Sequence, residues 1–144
     1  MIRFMRGGLI AEITYQEEKP MKIVKCESCG KIAIIVQDSA CPTKCCGEPM
    51  TELVAGAVDA AKEKHVPVIA QDGNLVTVTV GSVEHPMIPE HYIQFIILET
   101  SAGYQKKDLK PGEKPAATFA LAPGETAVAA YEYCSLHGLW KAEA

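Results

Sequence analysis

The chain has 144 residues, 48% of them hydrophobic and 22% charged, which is the make-up of an ordinary soluble globular protein of one domain, or one domain plus a small appendage. A formal net charge of −4, a pI near 5.6 and lysines scattered rather than striped along one face argue against a nucleic-acid surface. No apolar run approaches the length needed to cross a bilayer.

The opening Met1-Ile2-Arg3-Phe4-Met5-Arg6 is basic and partly apolar, but Gly7, Gly8 and Glu12 interrupt it before a signal-peptide core can form. The expectation is a cytoplasmic protein. Met21 offers an alternative start, so residues 1–21 are read as an N-terminal extension with no assigned role.

Residues 22–56 hold five of the six cysteines. They read as a strand over Lys22–Lys25, a Cys26-Glu27-Ser28-Cys29-Gly30 turn, a strand over residues 31–37, a loop, and Cys45-Cys46-Gly47-Glu48-Pro49-Met50. A segment this short falls below the ~40 residues at which a hydrophobic core alone suffices, so something must staple it. With no secretory signal the thiols should stay reduced, which favours a metal over disulfides. Cys26, Cys29, Cys45 and Cys46 are the four candidate ligands; four sulfurs suit zinc or iron, and the adjacent pair predicts a strained turn and a distorted tetrahedron. Cys41 is read as a spare loop thiol.

Small residues at 55–61 mark a hinge, and residues 57–144 form the second domain. Strands are predicted over residues 66–70, 74–80, 91–98, 116–121 and 126–134, with turns at Pro111-Gly112-Glu113 and Ala122-Pro123-Gly124-Glu125. In 91–98 alternation places His91, Ile93, Phe95 and Ile97 on one side, and Tyr92, Gln94, Ile96 and Leu98 on the other. Both sides are mostly apolar, as expected of a strand between two layers. Nothing has a convincing helical period, and the pattern predicts a β-sandwich.

All four histidines of the chain fall in this second part, beside proline, glycine or charged turn residues: Lys64-His65-Val66-Pro67, Glu84-His85-Pro86, Glu90-His91-Tyr92 and His137-Gly138. Its one cysteine is Cys134, three positions before His137. Four imidazoles and a thiolate make five ligands, more than structural zinc uses, and leave a sixth octahedral position open. Such a site binds a small molecule at iron, and neutral imidazoles leave the metal positive enough to attract an anion.

These segments resemble the superoxide reductases: Lys62-Glu63-Lys64-His65-Val66-Pro67-Val68-Ile69, Gly81-Ser82-Val83-Glu84-His85-Pro86-Met87, Glu90-His91-Tyr92-Ile93 and Glu132-Tyr133-Cys134-Ser135-Leu136-His137-Gly138-Leu139-Trp140-Lys141. The two cysteine segments resemble the desulforedoxin-like domain of the two-iron subclass, desulfoferrodoxin. The likeness runs from about Lys22 to Ala144; the leader and the Cys41 to Lys44 loop depart from it. It implies a mainly β protein, a small rubredoxin/desulforedoxin-like metal-binding domain followed by an immunoglobulin-like β-sandwich. It implies two irons per chain: a ferric ion held by Cys26, Cys29, Cys45 and Cys46, and a catalytic iron with His65, His85, His91 and His137 equatorial and Cys134 axial. The implied reaction is one-electron reduction of superoxide to hydrogen peroxide, for defence against oxidative stress, with rubredoxin or a similar external donor and a homodimeric assembly. Lys64 is implied to draw superoxide in and to orient the water that delivers a proton, and Glu63 to be the sixth ligand of the ferric state. The competing expectation is a noncatalytic electron-transfer or zinc-binding β-sandwich.

Overall fold

Among the described residues, strands account for nearly all of the regular structure. The computed structural model describes residues 19–144; the expected N-terminal extension lies, up to residue 18, outside them. Twelve strands and one helical turn follow in order: β1 Lys22–Lys25, β2 Ile32–Ile35, β3 Lys44–Cys45, β4 Glu48–Pro49, β5 Thr51–Glu52, α1 Lys62–His65, β6 Pro67–Asp72, β7 Leu75–Val80, β8 Ile93–Thr100, β9 Gly103–Asp108, β10 Ala116–Ala120, β11 Ala127–Cys134 and β12 Gly138–Glu143. The seven strands β6–β12 form two antiparallel sheets, ordered β10-β7-β6 and β12-β11-β8-β9. This is the sandwich that the alternation predicts. Ahead of it stand a small β2-β1-β5 sheet and the β3-β4 hairpin.

Val76, Val78 and Val80 of β7 meet Ile96 and Leu98 of β8 and Ala130 of β11, all at 0% exposure, with Phe119 and Leu121 closing one side. The opposite face of the four-stranded sheet is buried as well. There Ile97, Tyr131, Tyr133 and Leu139 pack against Ile23, with Ile32, Ile34 and Leu53 of the cysteine-rich segment at the edge of the cluster. Strands β8 and β11 are thus covered on both sides, which explains their lack of a polar face. The Ile23→Ala substitution should lower unfolding stability by about 2–5 kcal/mol, as measured by denaturant titration. An unchanged midpoint would show that the two parts do not depend on this contact.

One predicted face is corrected. Tyr133 pairs with Phe95 but Cys134 pairs with Ile93, so Gln94 is the extra residue of a β-bulge. The bulge moves Ile93 away from Phe95 and Ile97 and into the core that holds Ile96, Leu98 and Cys134. Along β11 the alternation runs unbroken to Cys134, which shares the core face of Ala130.

The helical turn α1 is too short to show a period. Val66, its C-cap, is already extended (φ −65°, ψ 121°), as the residue before Pro67 must be. The turn is seated on Gly81: a Cβ there would lie 2.5 Å from the Glu63 carbonyl oxygen, so only glycine permits the approach. The same carbonyl accepts from the Val83 amide at 2.8 Å and from the Ser82 hydroxyl at 3.2 Å.

Candidate metal centres

The first centre is built by two tight turns. The Cys26 amide donates to the Lys31 carbonyl at 2.8 Å, and the Gly30 amide to the Cys26 carbonyl at 2.9 Å, closing a knuckle with Gly30 at φ 77°. The facing turn joins β3 to β4 through Cys46 and Gly47, both in the left-handed region (φ 55° and 78°). The four sulfurs of Cys26, Cys29, Cys45 and Cys46 converge. Cys29 and Cys45 Sγ are 3.7 Å apart, and Cys45 and Cys46 Sγ 3.9 Å. Metal–sulfur bonds of about 2.3 Å in a regular tetrahedron require edges of about 3.8 Å. The strained turn expected of the adjacent pair is present, with Cys46 in the left-handed region; these two edges are near the regular length, and all four sulfurs lie within 4.8 Å of one another. Exposed Cys41 is not among the converging sulfurs. Crowded thiols cannot ionise independently. Hydrogen bonds from the Cys29 and Ser28 backbone amides and from neighbouring thiols bring Cys26 down to about 7, while sulfur contacts with Cys29, Cys26 and Cys45 push Cys46 up to about 12. A cation among them removes that conflict.

The second centre gathers side chains from four places in the chain. His65 ends α1, His85 and His91 stand on the connection between β7 and β8, Cys134 ends β11, and His137 lies in the loop Ser135-Leu136-His137 closed by the Cys134 to Gly138 pairing. His91 is held by a two-way backbone bridge with Ile88, at 3.1 and 3.0 Å. The four imidazoles form a square. Neighbouring ring centroids are 4.8 Å (His65–His85), 4.8 Å (His65–His137), 5.0 Å (His91–His137) and 4.6 Å (His85–His91), with interplanar angles of 79–89°. The diagonal pair His65–His91 stands 6.3 Å apart and nearly parallel.

The inward atoms follow from what holds the outward ones. His65 Nδ1 is 2.7 Å from the Ala61 carbonyl and His85 Nδ1 is 2.6 Å from the Pro86 carbonyl, so both donate there and turn Nε2 inward. His65 Nε2 lies 3.0 Å from His137 Nδ1 and 3.2 Å from His85 Nε2; adjacent nitrogens at about 2.1 Å from one ion would be about 3.0 Å apart. Cys134 Sγ is 3.4 Å from His85 Nε2 and 3.7 Å from His137 Nδ1. Its burial is complete while His91 and His137 are half-exposed, so the thiol approaches the square from the protein side. Burial lowers His65 and His91 and takes His85 to about 4, against the hydrogen bonds that favour the charged form in His65 and His85. It raises Cys134. His91 Nε2 is buried with no hydrogen-bond partner. An orphaned nitrogen inside a ring of imidazoles beside a thiol fits a metal ion.

A match to the desulfoferrodoxin family model covers residues 57–143. The chain belongs to the desulfoferrodoxin family. The desulfoferrodoxin of Nitratidesulfovibrio vulgaris is 48% identical over 123 residues, 85% of this chain and 96% of that protein, and the desulfoferrodoxin of Syntrophotalea carbinolica is 46% identical over the same extents. Among solved structures, the superoxide reductase of Treponema pallidum superposes with a TM-score of 0.74 at 38% identity, covering 87% of this chain and all of that one. With a four-cysteine site and a histidine–cysteine site in place, this desulfoferrodoxin chain has the donor sets of two iron centres.

Of the remaining candidates, Glu63 and Lys64 are exposed on α1 next to the square, and the Lys64 charge adds to the lowering of both His65 and His91. Two neighbours of the site had no role in the sequence reading. Glu132, on β11 two residues before Cys134, is at 0% exposure, has neither carboxylate oxygen hydrogen-bonded, and burial pushes it up to about 9; at neutral pH it is a protonated acid. Trp140 of β12 packs on His65. Both lie in the segment that carries the family resemblance, but only the fold shows that one is buried without a partner and the other packs on a histidine.

Proposed function

We propose that the chain is a superoxide reductase: one superoxide, one electron from an external donor and two protons give one hydrogen peroxide. The observation that carries this reading is the square of four imidazoles with a buried thiol on its inner side, which supplies five donors and leaves the outer side for a small anion. Iron bound there supplies the one-electron chemistry. His65, His85 and His91 are assigned as ligands through Nε2, His137 through Nδ1 and Cys134 through its sulfur. The Ala61 and Pro86 carbonyls fix the tautomers of His65 and His85. With iron bound, the Cys134 sulfur would donate electron density to it from the buried side of the square.

Lys64 is assigned to draw in the anion and to hold the water that passes on a proton. The chain carries a formal charge of −4, so a superoxide ion approaching at random is repelled on average and a local ammonium at the mouth is needed to reverse the field. Glu63 is assigned as the residue that would offer a hard oxygen donor to ferric iron. The four-cysteine centre serves as a staple for residues 22–56, and residues 57–144 as the reductase domain. A rubredoxin-like donor, a homodimer, a cytoplasmic location and a role in oxidative-stress defence complete the reading.

The test is iron analysis together with pulse-generated superoxide. Two irons per chain and stoichiometric peroxide without dioxygen are expected from the reduced protein; dioxygen release, zinc at both sites, or inert reduced protein would refute the assignment. Lys64→Ala should slow the second-order encounter about tenfold, the low end of electrostatic steering, and flatten its ionic-strength dependence while metal content stays the same. Rates matching the parent at every salt concentration would remove Lys64 from the mechanism.

A further inference from the structure

Trp140, the one tryptophan of the chain, is only 4% exposed and touches two of the four histidine positions at once. Its ring lies 5.0 Å from that of His65, with the planes inclined by 30°. Its indole Nε1–H donates to the His137 carbonyl at 3.1 Å. His65 comes from α1 and His137 from the loop between β11 and β12, 72 positions later, yet their inward nitrogens stand 3.0 Å apart.

Other constraints leave each of these histidines one freedom. The Ala61 bond pins His65 at Nδ1, but a ring held at a single atom can still rock about that contact. His137 sits in a three-residue loop that the Ser135 amide ties to the Tyr92 carbonyl at 3.0 Å at its start; at its end Gly138, with φ 74°, offers little stiffness of its own. The indole face blocks the first motion and the indole N–H fixes the second.

We propose that Trp140 is a positioning residue for the second metal centre, holding the His65 ring plane and the His137 backbone so that their two nitrogens stand at ligating separation before an ion arrives. The inference rests on the ligand assignment above and extends it to a residue outside the donor set. Two effects make the contact matter for affinity and not only for packing. Preorganisation removes an ordering cost that would otherwise fall on metal uptake. A metal also withdraws electron density from the imidazole it binds, so the electron-rich indole face attracts that ring more strongly in the loaded state, and a contact stronger in one state favours that state.

The experiment compares Trp140→Phe and Trp140→Leu with the parent, using the full chain stripped of metal and titrated anaerobically with Fe²⁺ or Co²⁺ against a competing chelator. Absorption spectra report the sulfur-to-metal band of the second centre, and the four-cysteine centre serves as an internal control. Trp140→Leu should bind about tenfold more weakly at the second centre, as outer-shell changes typically do, and shift its sulfur band. Trp140→Phe, which keeps a ring against His65, should recover part of both, with the first centre unchanged throughout. The proposal is overturned if both variants titrate with the parent's affinity and spectrum. It is also overturned if phenylalanine loses as much as leucine in step with a lowered melting temperature, since the residue would then only fill space. A parent that takes up a single metal per chain would overturn the ligand assignment itself, and the proposal with it.

Discussion

Replacing Cys134 with serine is expected to abolish the colour and the chemistry of the second centre while leaving the fold intact. The thiol is at 0% exposure, within 3.4 Å of His85 Nε2 and 3.7 Å of His137 Nδ1, and is the one sulfur that the sandwich sends to the square. A serine hydroxyl is smaller and does not ionise readily in a buried site, so the square would keep its four nitrogens and lose the donor that sets its electronic character. Because changes to groups that only support a ligand already cost about 10–100-fold, loss of the ligand itself should lower superoxide consumption by at least about 100-fold. The measurement is pulse-generated superoxide with optical detection on iron-loaded variant and parent. Retention of a sulfur-to-iron band in the variant, or a rate within a few fold of the parent, would show that the buried sulfur is not a ligand.

The pieces of this site were legible in the sequence to different degrees, for identifiable reasons. The donor types and their order could be read because His65, His85, His91 and His137 each sit beside turn residues. Their arrangement could not, since the chain leaving His91 enters β8 through the bulge at Gln94 and α1 docks only because Gly81 has no Cβ. Both are backbone events with no periodic signature. The sandwich was readable where one face is buried, as in Thr77-Val78-Thr79-Val80. Strand β9 was missed because Gly103-Tyr104-Gln105-Lys106-Lys107-Asp108 is a mostly exposed edge strand, where lysines discourage pairing with other chains and erase the alternation. Strand β12 is hidden in the sequence because it overlaps the Cys134-to-Trp140 ligand motif, although Leu139 and Trp140 are core. Ile97, Tyr131 and Tyr133 carry the same lesson: a sequence shows that they are apolar, and only the fold shows that they face the cysteine-rich segment.

Cys46→Ser should empty the first centre and unravel the segment around it without extinguishing the second. Residues 22–56 have little core of their own; Ile23, Val24 and Cys26 are buried there while Cys29, Cys41, Val36 and Val54 are exposed. Ordering a segment of this size costs on the order of 1–2 kcal/mol per residue, which so few buried side chains cannot offset. Metal binding adds folding free energy where the core is short of it. Cys46 is the informative ligand because it already occupies the left-handed region at φ 55°, a conformation that a residue with a Cβ holds at a cost. Without its sulfur on a metal, the β3-β4 turn loses its reason to stay there. Metal content should fall from two ions per chain to one, and protease cleavage should appear between Cys26 and Leu53, while the sulfur band of the second centre persists. That selectivity is the decisive part. The second centre's donors all lie in the sandwich and its flanking loops, so its spectrum should survive even if the Ile23 contact with Tyr131 and Tyr133 is lost. Simultaneous loss of both centres in this variant would show that the sandwich needs the stapled segment to hold its own histidines in place.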